Sequence, residues 1–154
     1  MAKGPEKEKV NDPFRKGMVE AFPQIHWQRI ENTTGVGVPD INFCLDGVEV
    51  WVEDKWTPSK KGARFSHPLT PSQCGWILKR VHSGGSAWVL ARRVDTFRLW
   101  HGSWAKEIVD QGWNAPGSCI TMGRPWAWVE LIDTMLTEPC TKPVSILVPR
   151  TVRR

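Results

Sequence analysis

The tightest constraint on this chain is a pair of apolar, strand-like runs, residues 41–45 and 48–55, separated only by Asp46-Gly47. An Asp-Gly pair between two such runs is a strong two-residue hairpin signal, because the turn needs positive φ and glycine takes it without steric cost. Once the hairpin is set, side chains alternate along its second strand. Glu53 and Lys55 then share one face, while Val50, Val52 and Asp54 point to the other. Asp40 stands thirteen residues before Glu53, at the open end of the first strand. Three charged groups therefore meet at one end of an otherwise apolar hairpin.

The rest of the chain arranges itself around that hairpin. Residues 1–10 are charged and aperiodic, and are expected to be disordered. Asn11-Asp12-Pro13 starts a helix with Phe14, Met18 and Phe22 on one face, ending before Pro23. A strand follows over 26–31, then a loop over 32–37. Residues 56–69 read as a long basic loop. Thr70 caps a helix with Pro71 at its first position, running to His82 and stopped by Ser83-Gly84-Gly85. Strands are expected at 86–93 and 96–100, and helices at 103–111 and 125–136. This order, α-β-β-β-α-β-β-α-α, predicts an α/β fold with a mixed central sheet flanked by helices. Residues 11–137 form one domain, and 138–154 a basic C-terminal tail.

Clustered carboxylates repel one another and lose hydration unless a cation sits between them. Mg²⁺ suits this position, since it takes one or two carboxylates and completes its shell with water and substrate phosphate. Such an ion lowers the pKa of a bound water and polarises a phosphate. Lys55 can orient that water or stabilise developing negative charge. The Asp54 carbonyl is a candidate further ligand. The competing reading is a surface hairpin with an ordinary Glu53–Lys55 contact. E-x-K alone is common, but Pro-Asp joined to it by a hairpin of this length is much rarer.

Gly37-Val38-Pro39-Asp40 followed by Val50-Trp51-Val52-Glu53-Asp54-Lys55 resembles the signature of the PD-(D/E)xK nucleases. Within them the chain is most similar to the small phage nucleases of the virus-type replication-repair group and to archaeal-type Holliday junction resolvases. The likeness takes in Arg29-Ile30-Glu31-Asn32, Leu69-Thr70-Pro71-Ser72-Gln73, Gly84-Gly85 and residues 87–93, and covers about residues 11–101. It implies a restriction-endonuclease-like fold and a metal-dependent, structure-selective DNA endonuclease, with a Holliday junction resolvase as the leading case. It implies Mg²⁺ or Mn²⁺ on Asp40, Glu53 and the Asp54 carbonyl, Lys55 as catalytic, and Gln73 beside the site. A homodimer is expected, because two symmetric cuts in a four-way junction need two sites. These families usually add an acidic residue from the first helix, and no position matches cleanly. Glu31 is the choice here, with Glu20 as the alternative. A nicking, flap or exonuclease on the same site, or a DNA-binding module without catalysis, are the competing functions.

The net charge of +5 favours a polyanionic partner without requiring one. Lys60, Lys61 and Arg64 in the loop, with Lys79 and Arg80 on the next helix, form a candidate phosphate-binding rim. No base-reading motif appears, so backbone and shape contacts are expected. Gly35-Val36-Gly37 is not a dinucleotide loop, since Asp40 replaces the third glycine and a strand follows. Gln73-Cys74-Gly75-Trp76 lies in a helix and does not make a thiol protease. The four histidines lack ligand spacing, although His67 lies in the loop beside the site. The four cysteines hold no C-x-x-C pair and read as free thiols. No apolar run is long enough to span a membrane, and no apolar stretch follows the basic N-terminus, so a cytoplasmic location is expected.

Overall fold

A computed structural model describes residues 4–31, 35–137 and 140–143 of the 154-residue chain. The hairpin forms as its turn residues dictate, with Asp46 at φ 50° and Gly47 at φ 77°. Strand β2 (Ile41–Leu45) pairs antiparallel with β3 (Val48–Thr57), placing Ile41 opposite Val52. Strand β1 (His26–Arg29) adds antiparallel to β2 and ends two residues sooner than expected. Helix α2 (Pro71–His82) then carries the chain to β4 (Ser86–Arg93), which pairs with β3 in parallel. Strand β5 (Thr96–His101) returns antiparallel. With a short strand β6 (Ile120–Met122) on the edge of β5, the sheet order is β1-β2-β3-β4-β5-β6.

Each face of the sheet has its own core. Helix α1 (Asp12–Ala21) and helix α4 (Trp128–Thr137) cover one face. There Phe14, Met18, Leu131 and Met135 bury against Phe43, Val52, Leu90 and Leu99. Helices α2 and α3 (Ala105–Gln111) cover the other, where Ile77 and Ile108 bury against Val89, Ala91 and Trp100. This is the mixed sheet flanked by helices expected from the element order.

Three expectations need correction. The first ten residues are not without order from Gly4 onward: Lys7–Asn11 form a π-helical turn leading into α1. Val10 lies four residues before Phe14, extends the same apolar face and is fully buried. Arg92 also donates from Nη1 to the Lys9 carbonyl at 2.9 Å. The second correction is an additional strand, β6 (Ile120–Met122), on the free edge of β5. Three residues carry too little alternation to be read as a strand, and an edge partner has to complete it. The third concerns the cysteines. Cys119 and Cys140 form a disulfide, their Cα atoms 5.5 Å apart, while Cys44 and Cys74 are free thiols. Residues 144–154, most of the expected basic tail, lie outside the described residues.

Candidate active site

Strand β2 starts only at Ile41, so the β2 side of β3 is open beyond Val52. Asp40 fills that notch, its Oδ2 accepting the Asp54 backbone N–H at 3.1 Å. Its own carbonyl accepts the Ile30 N–H at 2.7 Å, which ties the end of β1 to the same point. The loop before Asp40 is fixed by Gly37, at φ +84°, where an added Cβ would stand 2.3 Å from the Ser72 carbonyl oxygen. Only glycine permits both that conformation and that approach. The Asp40 loop is thereby seated on the first turn of α2.

That first turn carries Gln73. Thr70 caps α2 by accepting the Gln73 N–H at 3.1 Å, and Gln73 Oε1 accepts the Thr70 N–H in return at 3.0 Å. The Gln73 amide has a second task. Its Nε2 donates to Glu53 Oε1 at 2.7 Å, and its Oε1 accepts from Lys55 Nζ at 3.3 Å. Lys55 Nζ also pairs with Glu53 Oε1 at 3.0 Å, with both side chains at most 3% exposed. One capping residue thus holds the carboxylate and the ammonium in a fixed relation.

Asp40, Glu53, Asp54, Lys55 and Gln73 all line one cleft of about 230 Å³. Burial pushes the Glu53 carboxyl up to about 8, and the Asp40 charge adds to this, against the pull of Lys55. Burial likewise raises Asp40, opposed by the Asp54 N–H and Lys55. Asp54 is raised well above the ordinary range, first by burial and then by the charges of Asp40 and Glu53. The neighbouring Asn11 side chain opposes this rise. Even so, among the described residues neither Asn11 Nδ2 nor either Asp54 carboxylate oxygen completes a hydrogen bond, and Glu53 Oε2 is also buried without a partner.

Buried carboxylate oxygens left without donors, beside carboxyls that resist ionisation, are what a hard cation would satisfy. The donor set therefore fits Mg²⁺ or Mn²⁺. Among the described residues no three His, Cys, Asp or Glu side chains are placed to share one ion. An ion here would take two carboxylates and the backbone carbonyl, with the rest of its shell from water and substrate.

Glu31 is exposed and does not line the cleft, and Glu20 borders separate depressions beside Trp126 and Trp128. Besides Asp40, Glu53 and Asp54, the cleft is lined by Glu6, from the segment expected to be disordered. Its carboxylate meets His67 Nδ1 at 2.9 and 3.0 Å. Lys7, Asn11 and Arg29 also line the cleft and were missed by sequence reasoning. The one signal for the N-terminal residues was Val10 at helical spacing from Phe14.

No family model matches the chain, and no curated protein matches its sequence. Among solved structures it is similar to a Holliday junction resolvase from Archaeoglobus fulgidus. The two share 13% identity over 60% of this chain and 78% of that one, with a TM-score of 0.40. A likeness this distant carries no functional argument.

The basic rim is not part of the cleft. Lys60, Lys61, Arg64, Lys79 and Arg80 are all exposed, and none lines it. Arg64 borders a depression against α3, and the Arg80 guanidinium lies over the Trp51 and Trp76 rings at 5.4 and 4.7 Å. No helix among the described residues is long and apolar enough to cross a membrane.

Proposed function

We propose that this chain is a metal-dependent nuclease that hydrolyses phosphodiester bonds in DNA. The observation that supports it most is the bridged set in the cleft: Glu53 and Lys55 buried together on Gln73, with Asp40 across from them and Glu53 Oε2 unpartnered. Asp40, Glu53 and the Asp54 carbonyl would hold Mg²⁺ or Mn²⁺. Bound there, the ion supplies Lewis acidity and a more acidic water. Lys55, a buried cation held by Gln73 and Glu53, orients the attacking water and stabilises charge developing on the phosphate. Gln73 keeps Lys55 and Glu53 in register. Glu6, rather than Glu31 or Glu20, supplies the additional acid.

The finer reading is an endonuclease selective for branched DNA, above all the four-way junction, acting in the cytoplasm as a homodimer. The resemblance in the Asp40–Lys55 signature motivates it, and the positive net charge agrees with a DNA partner. Labelled four-way junction, linear duplex and supercoiled plasmid, incubated with Mg²⁺ or with EDTA, test both levels. Cleavage should require the metal, favour the junction, and vanish in Asp40→Asn and Glu53→Gln. Lys55→Ala should fall about a hundredfold or more while Mg²⁺ still binds. Plasmid nicking or end trimming without junction preference would replace the junction reading. Absence of metal-dependent cleavage, or full activity in Asp40→Asn, would remove the nuclease.

A further inference from the structure

None of the residues inferred from sequence to hold phosphate lines the cleft where Glu53 and Lys55 stand. Four cationic or potentially cationic side chains line it: Lys7, Arg29, Lys55 and His67. Three are already engaged. Lys7 Nζ is bonded to both Asp12 oxygens at 3.1 and 3.2 Å. Lys55 serves Glu53 and Gln73, and His67 Nδ1 faces Glu6. The Arg29 guanidinium, by contrast, makes no side-chain hydrogen bond, ion pair or ring contact among the described residues, and it is exposed.

Its position is rigidly set. Arg29 is the last residue of β1 and pairs with Ile41, the residue after Asp40. Two residues earlier, Trp27 stacks on Phe43 at 5.6 Å and meets Phe14 edge-on at 4.8 Å, which pins β1 to the core on the side of α1. Arg29 is therefore carried by a packed strand rather than a loop, and its charge is felt at Asp40. A planar guanidinium whose donors are unused among the described residues matches two non-bridging oxygens of a phosphodiester.

We infer that Arg29 is the substrate-phosphate clamp of this cleft, binding the non-bridging oxygens of the DNA backbone beside the Asp40–Glu53 pair. The inference rests on the nuclease reading for its substrate, and it assigns to Arg29 a phosphate contact at the reacting centre. Phosphate is present at every step of DNA, so the clamp gives affinity and placement without sequence preference.

Arg29→Ala and Arg29→Lys test it in two arms. In the first, fluorescein-labelled four-way junction and linear duplex are titrated in EDTA at several salt concentrations, with fluorescence anisotropy as readout. Arg29→Ala should weaken both about tenfold or more and lower the salt slope by about one. Arg29→Lys should keep the slope but recover only part of the affinity, because an ammonium cannot make the paired contact. In the second arm, cleavage in Mg²⁺ should show KM raised in Arg29→Ala, with the Mg²⁺ requirement unchanged. The binding arm needs no turnover, so a protein that never cuts DNA would refute the nuclease while leaving the clamp measurable. If Arg29→Ala keeps wild-type affinity and slope, or changes only thermal stability, Arg29 is merely a counter-ion to the acidic cleft and the inference falls.

Discussion

Glu53 couples the stability of the metal-free protein to pH, with a sign opposite to that of a surface carboxylate. Its carboxyl rises from 4.5 to about 8, chiefly through burial. The folded state therefore holds its proton more tightly than the unfolded chain. The associated stability is fully present below about pH 4.5 and is lost as pH rises through about 8. At roughly 1.4 kcal/mol per pH unit between those limits, the loss from Glu53 amounts to about 4–5 kcal/mol. That is a large share of the roughly 5–15 kcal/mol by which domains are stable. Asp40 and Asp54 are shifted in the same direction and steepen the fall. Urea unfolding in EDTA at a series of pH values from 5 to 8 measures it. Wild type should lose stability steadily, and Glu53→Gln, which cannot ionise, should show a clearly flatter profile. Mg²⁺ binds the ionised form, so its protection should be greater at pH 8 than at pH 6. A flat wild-type profile, or one equally steep in Glu53→Gln, would refute the reasoning.

Two further outcomes separate backbone from side-chain roles and locate the additional acid. Asp54→Asn removes a buried carboxyl that resists ionisation while keeping the backbone carbonyl, so at pH 8 in EDTA it should stabilise the protein by about 1–3 kcal/mol and leave cleavage within a few-fold of wild type. Loss of cleavage as complete as in Asp40→Asn would make the side chain, not the carbonyl, the ligand. Glu6→Gln should raise the Mg²⁺ concentration for half-maximal cleavage, and Glu31→Gln and Glu20→Gln should not; a shift in Glu31→Gln alone would return the role to the residue chosen from sequence.

Much of the site is local, and for that reason it was legible. Asp46-Gly47 and strand alternation determine by themselves that Glu53 and Lys55 share a face and that Asp40 lies beside them. The capping signals Thr70-Pro71 and Ser83-Gly84-Gly85 delimit α2 from sequence alone. What the chain could not reveal depends on contacts between distant segments. Gln73 was singled out by resemblance alone. Its grip on Glu53 and Lys55 exists because β3, α2 and β4 form a crossover that sets the cap of one element on the strand of another. Glu6 enters the cleft because Val10 buries against the sheet and Arg92 holds the Lys9 carbonyl, an arrangement whose one trace in a charged segment is Val10 at helical spacing from Phe14. Strand β6 needs the edge of β5 to exist at all. The side chains that line the cleft were hidden for the same reason: charge content is a property of composition, whereas the place of the Arg29 guanidinium beside Asp40 follows from where β1 ends, and only packing decides that.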